Sequence, residues 1–415
     1  MLYNCQYRAN RGFLKLFVGF MFFYIAWTIP LLFMAKMDMV TAFFCCVGWF
    51  FLIKGYVLLS PYLHNPFSGF YKLIYALYVL VTIIMIIRGY MIDYQYPWPT
   101  YNAMISYHLF HKHYILCYLM PLLVYVPVSS ITYKHFIKYS SYAAVVMLLM
   151  TIIYWKVIVL ASYKLEDDTS RNLREIFIPF MYSCLCMLYI KRKQWILSIV
   201  GFVCCFMISL VAARRGDSLI NAILGVYCLY LWSLTTKSKS KKIAVSLFVA
   251  VLIIGLFYFF DNSSLFSYIH ERGMEDSRSV VDEARLSQMD DWQLVFGKGL
   301  NGRYYCPLLT DDYFEGWRYV SETGFYNLVL KGGYIYALLH IIVIAYPAYL
   351  GMFRSKNYLC KSLGFFLLLS LIELYPFGHL FFDIKFFIIW TGVAVCYSKS
   401  VRMMNNNEVK QKYFE

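Results

Sequence analysis

Ala213-Arg214-Arg215-Gly216-Asp217 sets two guanidinium groups side by side between two apolar runs, Trp195–Ala212 and Ser218–Leu234. Guanidinium grips phosphate through parallel N–H bonds and keeps its charge at any ordinary pH. Two of them in a tight turn at a membrane edge cost free energy unless anions meet them. The pair reads as a pyrophosphate clamp, or as side chains that snorkel to lipid headgroups with Asp217 as local partner. Further along, Gly297, Gly299 and Gly302 recur in Leu294–Tyr305, interleaved with Lys298 and followed by Arg303. Such spacing lets a backbone turn sharply or approach a ligand closely. It fits a sugar or phosphate cradle and equally a plain turn. A third stretch, Trp317–Gly333, carries Arg318 and Glu322. Near the water–membrane border Glu322 could take a proton from a sugar hydroxyl, or simply sit at a helix N-terminus. Trp317, Tyr319 and Phe325 suit sugar stacking, but an interfacial aromatic belt explains them better. Glu373, His379 and Asp383 flank one short turn, close enough to the interface to be hydrated. The spacing of His108, His111 and His113 is a weak metal pattern, and no metal site is expected.

The elements that position these residues follow from composition. The 415 residues are 61% hydrophobic, 20% aromatic and 15% charged, with mean hydropathy +0.58. A soluble domain is about 45–50% apolar and about 25% charged. The chain is therefore expected to be an all-α polytopic membrane protein. Twelve apolar stretches approach the roughly 20 residues a span needs. They cover about 16–34, 39–58, 70–87, 114–132, 141–160, 175–190, 195–213, 217–234, 243–260, 332–351, 362–376 and 383–397. Lys54 weakens the second, and the fourth contains Pro121 and Pro127, which bilayer helices tolerate when neighbours re-satisfy the backbone. The first apolar run lacks a small-residue cleavage site and reads as a retained span.

With that count, basic residues such as Arg8, Arg11, Lys15, Lys191, Lys241 and Arg354 collect on one side, and 21 of the 23 acids on the other or at its membrane edge. Basic loops stay in the cytoplasm, so both termini are expected there. Residues 1–402 are expected to form a single transmembrane domain. It includes a large outer loop at 261–331, and 403–415 form a flexible cytoplasmic tail. The stretch 261–323 holds twelve acids and six bases. No Walker-type loop is evident, and the net charge of +15 marks orientation rather than nucleic acid binding. The twelve cysteines lie mostly in apolar runs and read as fillers.

A late outer loop, an arginine turn before it and about twelve spans together resemble the O-antigen polymerase and ligase superfamily, with its Wzy-like repeat-unit polymerases. Leu294–Tyr305 resembles that family's phenylalanine-glycine-x-glycine loop, and Phe325–Gly333 its leucine-rich segment ending in lysine-glycine-glycine. The resemblance spans roughly 195–350. It implies a metal-independent, cofactor-free membrane glycosyltransferase of the GT-C type in the bacterial cytoplasmic (inner) membrane. Its substrates would be undecaprenyl diphosphate-linked oligosaccharides, and a chain-length regulator a further partner. Arg214 and Arg215 would hold the pyrophosphate, with Arg303, Arg318, Lys298, Gly297, Gly299 and Asp217 contributing to binding. The family's ligases place a histidine where this chain has Glu322, which favours a polymerase with a carboxylate base. The alternatives are a ligase of the same superfamily and a lipid-linked oligosaccharide flippase. Transporters tend to show internal repeats and midplane polar sites, which this sequence lacks.

Overall fold

Tyr71, Tyr75 and Tyr78 recur at helical spacing opposite Phe70, Leu73, Leu77 and Leu80, so one helix carries a hydroxyl-bearing stripe and an aliphatic one. The computed structural model describes residues 2–33, 38–91, 109–111, 114–153, 182–211, 215–235, 238, 240, 243, 277–306, 316–318, 323–375 and 380–415. The tyrosine stripe is buried there and the aliphatic stripe exposed. An exposed apolar stripe of that length belongs in lipid, where no water penalty attaches to it.

In chain order the helices are α1 Leu2–Phe33, α2 Asp38–Leu59, α3 Gly69–Met91, α4 Ile115–Leu119, α5 Tyr133–Ile153, α6 Arg192–Val211, α7 Arg215–Thr235, α8 Ser277–Leu286 and α9 Asp291–Phe296. After a two-residue hairpin (β1 Tyr304–Tyr305, β2 Trp317–Arg318) come α10 Gly324–Phe353, α11 Tyr358–Glu373, α12 Ile384–Tyr397, α13 Lys399–Met403 and α14 Asn406–Tyr413. Among the described residues four stretches are long and apolar enough to cross a bilayer: Tyr7–Trp27, Met39–Tyr62, Gly69–Tyr90 and Gly324–Phe353. Expected spans at 243–260 and much of 175–190 lie outside the described residues.

Two compact units divide the chain, Met1–Lys134 with Val281–Glu415, and His135–Val280. In the first unit α1 and α2 form a hairpin seamed by glycine. A Cβ on Gly19 would lie 2.8 Å from the Gly48 carbonyl oxygen, and one on Gly55 2.5 Å from the Leu16 nitrogen. Small residues repeating every seven let antiparallel backbones touch, which replaces the hydrophobic drive that lipid removes. Gly351 of α10 and Gly364 of α11 make a similar contact.

The fourth expected span is not one helix. α4 gives way to a 3-10 turn at Met120–Tyr125, with Pro121 near its start, and a second 3-10 turn follows Pro127. Proline removes a helical donor and breaks the run into these short turns. The Pro121 carbonyl accepts the Tyr75 hydroxyl at 2.6 Å. Tyr71 donates to the Val343 carbonyl of α10. Tyr78 meets Tyr336 and His340 of α10, each at 3.1 Å, in a fully buried group that Trp390 of α12 closes. His340 is thus a satisfied core histidine.

The tail is not loose. Asn405 and Glu408 form a reciprocal capping box that starts α14, whose Val409 and Tyr413 are buried. Asn357 donates to the carbonyls of Val401 and Met404, and Lys134 reaches the Glu415 carbonyl at 2.6 Å. The polar composition of 403–415 conceals two apolar positions at helical spacing, and these dock the segment. In the second unit α6 and α7 pair, Asn221 touching the Cys205 sulfur, while Ser183 and Ser198 share a hydrogen bond. The described cysteines are all free thiols, most of them buried.

Candidate functional site

The glycine loop is built against a break in α10. Gly333 has φ 72° and ψ −178°, which interrupts the helix and frees the carbonyls of Leu330 and Lys331. Lys298 N–H donates to Leu330 and Gly299 N–H to Lys331, both at 2.8 Å. Gly297, at φ 73°, faces the same break. A Cβ there would lie 2.2 Å from the Lys331 oxygen, and one on Gly333 would lie 2.1 Å from the Val295 oxygen. These positive-φ glycines exist because two backbones interlock. On its other side the loop sits on the C-terminal end of α3. Leu300 N–H donates to the Met85 carbonyl, Asn301 to that of Gly89, and Arg88 to those of Phe296 and Gly297.

Three cations converge on this node. The Lys331 ammonium donates to the Gly302 carbonyl at 2.7 Å, and the Lys298 ammonium reaches the Arg303 carbonyl at 3.3 Å. Arg303 is 1% exposed and Lys331 is also buried. Neither lysine makes an ion pair among the described residues. Burial holds the Lys298 ammonium below its ordinary range, and Asp290 opposes that shift.

Beside the node α8 is pinned by a second cation. Arg285 is fully buried and pairs with Asp282 at 2.5 Å. Its guanidinium lies 4.5 Å from the Tyr326 ring centre and 5.7 Å from that of Tyr304. Burial lowers its pKa and Asp282 raises it. The other Asp282 oxygen accepts the Thr323 hydroxyl at 3.1 Å. Thr323 thereby ties α8 to the start of α10, and Phe325 N–H donates to the Leu374 carbonyl at the end of α11. Glu373 is not hydrated as its position suggested. It is 5% exposed and ion-paired to Lys385. Asp383 caps α12 through Phe386 N–H.

Of the residues singled out in the sequence, Gly297, Lys298, Gly299 and Arg303 are brought together here. Arg318 lies on β2 opposite Tyr304, the residue after Arg303. Arg215 and Asp217 open α7 in the other unit. Arg214 and Glu322 lie outside the described residues, as do the side chains of Arg215 and Asp217. His111 packs its ring against Trp27 and Tyr114, while His108 and His113 lie outside. Trp317 packs on Tyr305, and Tyr319 lies outside. Sequence reasoning passed over Lys331, Arg285, Arg88 and Asn301 as site residues. A lysine inside an apolar run and directly before two glycines was the available signal for Lys331.

Long apolar helices, a lipid-facing stripe and a polar node at a broken helix define a helical membrane protein. Comparison with protein families, curated proteins and solved structures finds no match to this chain.

Proposed function

We propose that the protein is a membrane glycosyltransferase that joins undecaprenyl diphosphate-linked oligosaccharide repeat units into surface polysaccharide. The observation that carries this reading is the convergence of the Lys298 and Lys331 ammonium groups on the Gly302 and Arg303 carbonyls, beside the buried Arg303 side chain. Cations gathered in a partly desolvated node suit a diphosphate, because their attraction for it is least screened there. The resemblance assigns the pyrophosphate to Arg214 and Arg215 and the proton transfer to Glu322.

In this mechanism Glu322 takes the proton of an acceptor sugar hydroxyl. The hydroxyl oxygen bonds to the anomeric carbon of the donor as its bond to the diphosphate oxygen breaks. Attack from the face opposite the leaving group inverts configuration. The electron pair leaves with the lipid diphosphate, whose growing charge the guanidinium and ammonium groups stabilise. The bond energy of the sugar–phosphate link drives the step without ATP. The setting is the outer side of the bacterial inner membrane, with both termini cytoplasmic. A ligase of the same superfamily would use the same node.

The test is substitution in cells, with surface glycan length read on gels and expression checked. Arg214→Ala, Arg215→Ala, Lys331→Met and Glu322→Gln should each cut polymer formation at least tenfold. Normal polymer from all four at normal expression would sink the reading. One observation favours a rival. A broken span carrying a buried lysine is also how transporters build substrate sites, so a lipid-linked oligosaccharide flippase is the second reading.

A further inference from the structure

The α1–α2 hairpin carries cations that the glycosyltransferase reading leaves unused. Arg8, Arg11 and Lys15 follow one another at i, i+3 and i+7 on α1, and so share a face. α1 contains no acid, and the single acid of α2, Asp38, lies at the end away from Lys54. At Gly55 the two helices pack too closely for a side chain, with the Leu16 backbone against it. Lys15 and Lys54 each precede one of these two residues. The seam therefore sets Lys15 and Lys54 next to each other across the hairpin, with Arg11 one turn before Lys15. None of the four cations makes an ion pair among the described residues.

Lys15 stands eight residues inside the apolar stretch that begins at Tyr7, and Lys54 eight residues before the other stretch ends at Tyr62. At 1.5 Å per residue each lies about 12 Å from that end of its apolar stretch. Two ammonium groups held together at that depth repel each other, and the apolar surroundings strengthen the repulsion unless an anion sits between them. The surroundings also indicate what covers them. Lys54 shares the exposed face of α2 with Phe50, Ile53 and Val57, all more than half exposed, and its ammonium lies 5.2 Å from the Phe50 ring centre. A molecule satisfying both features offers an anion to the lysines and hydrocarbon to that face.

We propose that Arg8, Arg11, Lys15 and Lys54 form a binding site for the phosphate headgroup of an anionic phospholipid, whose acyl chains lie along the exposed face of α2. The site belongs to the hairpin and stands or falls independently of the polymerase reading.

The full chain, purified in a neutral detergent, tests it by native mass spectrometry and thermal unfolding, with phosphatidylglycerol, phosphatidylcholine and inorganic phosphate added separately. Phosphatidylglycerol should be retained at one saturable site and raise the melting temperature, with at least tenfold preference over phosphatidylcholine. The Lys15→Gln/Lys54→Gln double variant should lose that preference, and Lys15→Arg/Lys54→Arg should keep it. Equal retention of both lipids by the unaltered protein would overturn the proposal, and that comparison stands even if the glutamine variant fails to fold. So would an undiminished preference in a folded glutamine variant. Inorganic phosphate giving the full stabilisation by itself would also overturn it, since the acyl chains would then contribute nothing.

Discussion

Lys298 is the residue at which the proposed chemistry can be read most directly. Burial disfavours its charged form, so its amine loses a proton below the roughly 10.4 of a free lysine side chain. A bound diphosphate would favour the charged form and move that midpoint back up. Acylation of Lys298 as a function of pH, normalised to its own plateau and read by peptide mass spectrometry, should therefore show a depressed midpoint in the free protein. Adding undecaprenyl diphosphate should raise it. The sign for stability follows: between the depressed value and the ordinary one the unfolded chain binds more protons, so this lysine adds stability as pH rises through that window. An anion at the node would flatten the trend. Lys298 and Arg303 were legible in the sequence because they sit among glycines. Arg285 was not, because one arginine on an amphipathic stretch looks solvated until Tyr304 and Tyr326 are seen to enclose it.

At the scale of elements, the interlock between the glycine loop and α10 leaves no room for a side chain at Gly297 or Gly333. Gly297→Ala and Gly333→Ala would each force a positive-φ backbone on alanine and drive a methyl into a carbonyl oxygen. Each should cost roughly 3 kcal/mol or more and lower the unfolding temperature in detergent. Gly69→Ala is the control. It has φ 57° and nothing within 4 Å of its would-be Cβ, so only the backbone penalty applies and the loss should be smaller. The sequence could announce three glycines but could not say what they approach. Their partner is a break more than 30 residues later, and neither half explains itself alone. Helix existence was legible where apolar runs are long, as in α2, α3 and α12. It failed at the fourth expected span, where Pro121 and Pro127 turn an apolar run into 3-10 segments, and at α14, whose docking rests on Val409 and Tyr413.

For the molecule as a whole, the glycan made in its absence separates the readings. A deletion strain should display surface glycan of single repeat units if the protein polymerises. Polymer stranded on the carrier lipid would point to ligation, and repeat units trapped on the cytoplasmic side to flipping. Division into two units was not legible from composition, because both are apolar and no linker marks the boundary. α10 sets one further condition on how the chain meets the bilayer. As an unbroken rod its 30 residues would measure about 45 Å, well over the roughly 30 Å of a hydrocarbon core. The 20 residues after Gly333 measure about 30 Å, so they alone match the membrane. The nine before it are surplus to the crossing, and Lys331 rides on that surplus. A crossing by those 20 residues alone would leave the Lys331 ammonium at the edge of the hydrocarbon core, the depth at which a polyprenyl lipid would present its phosphates.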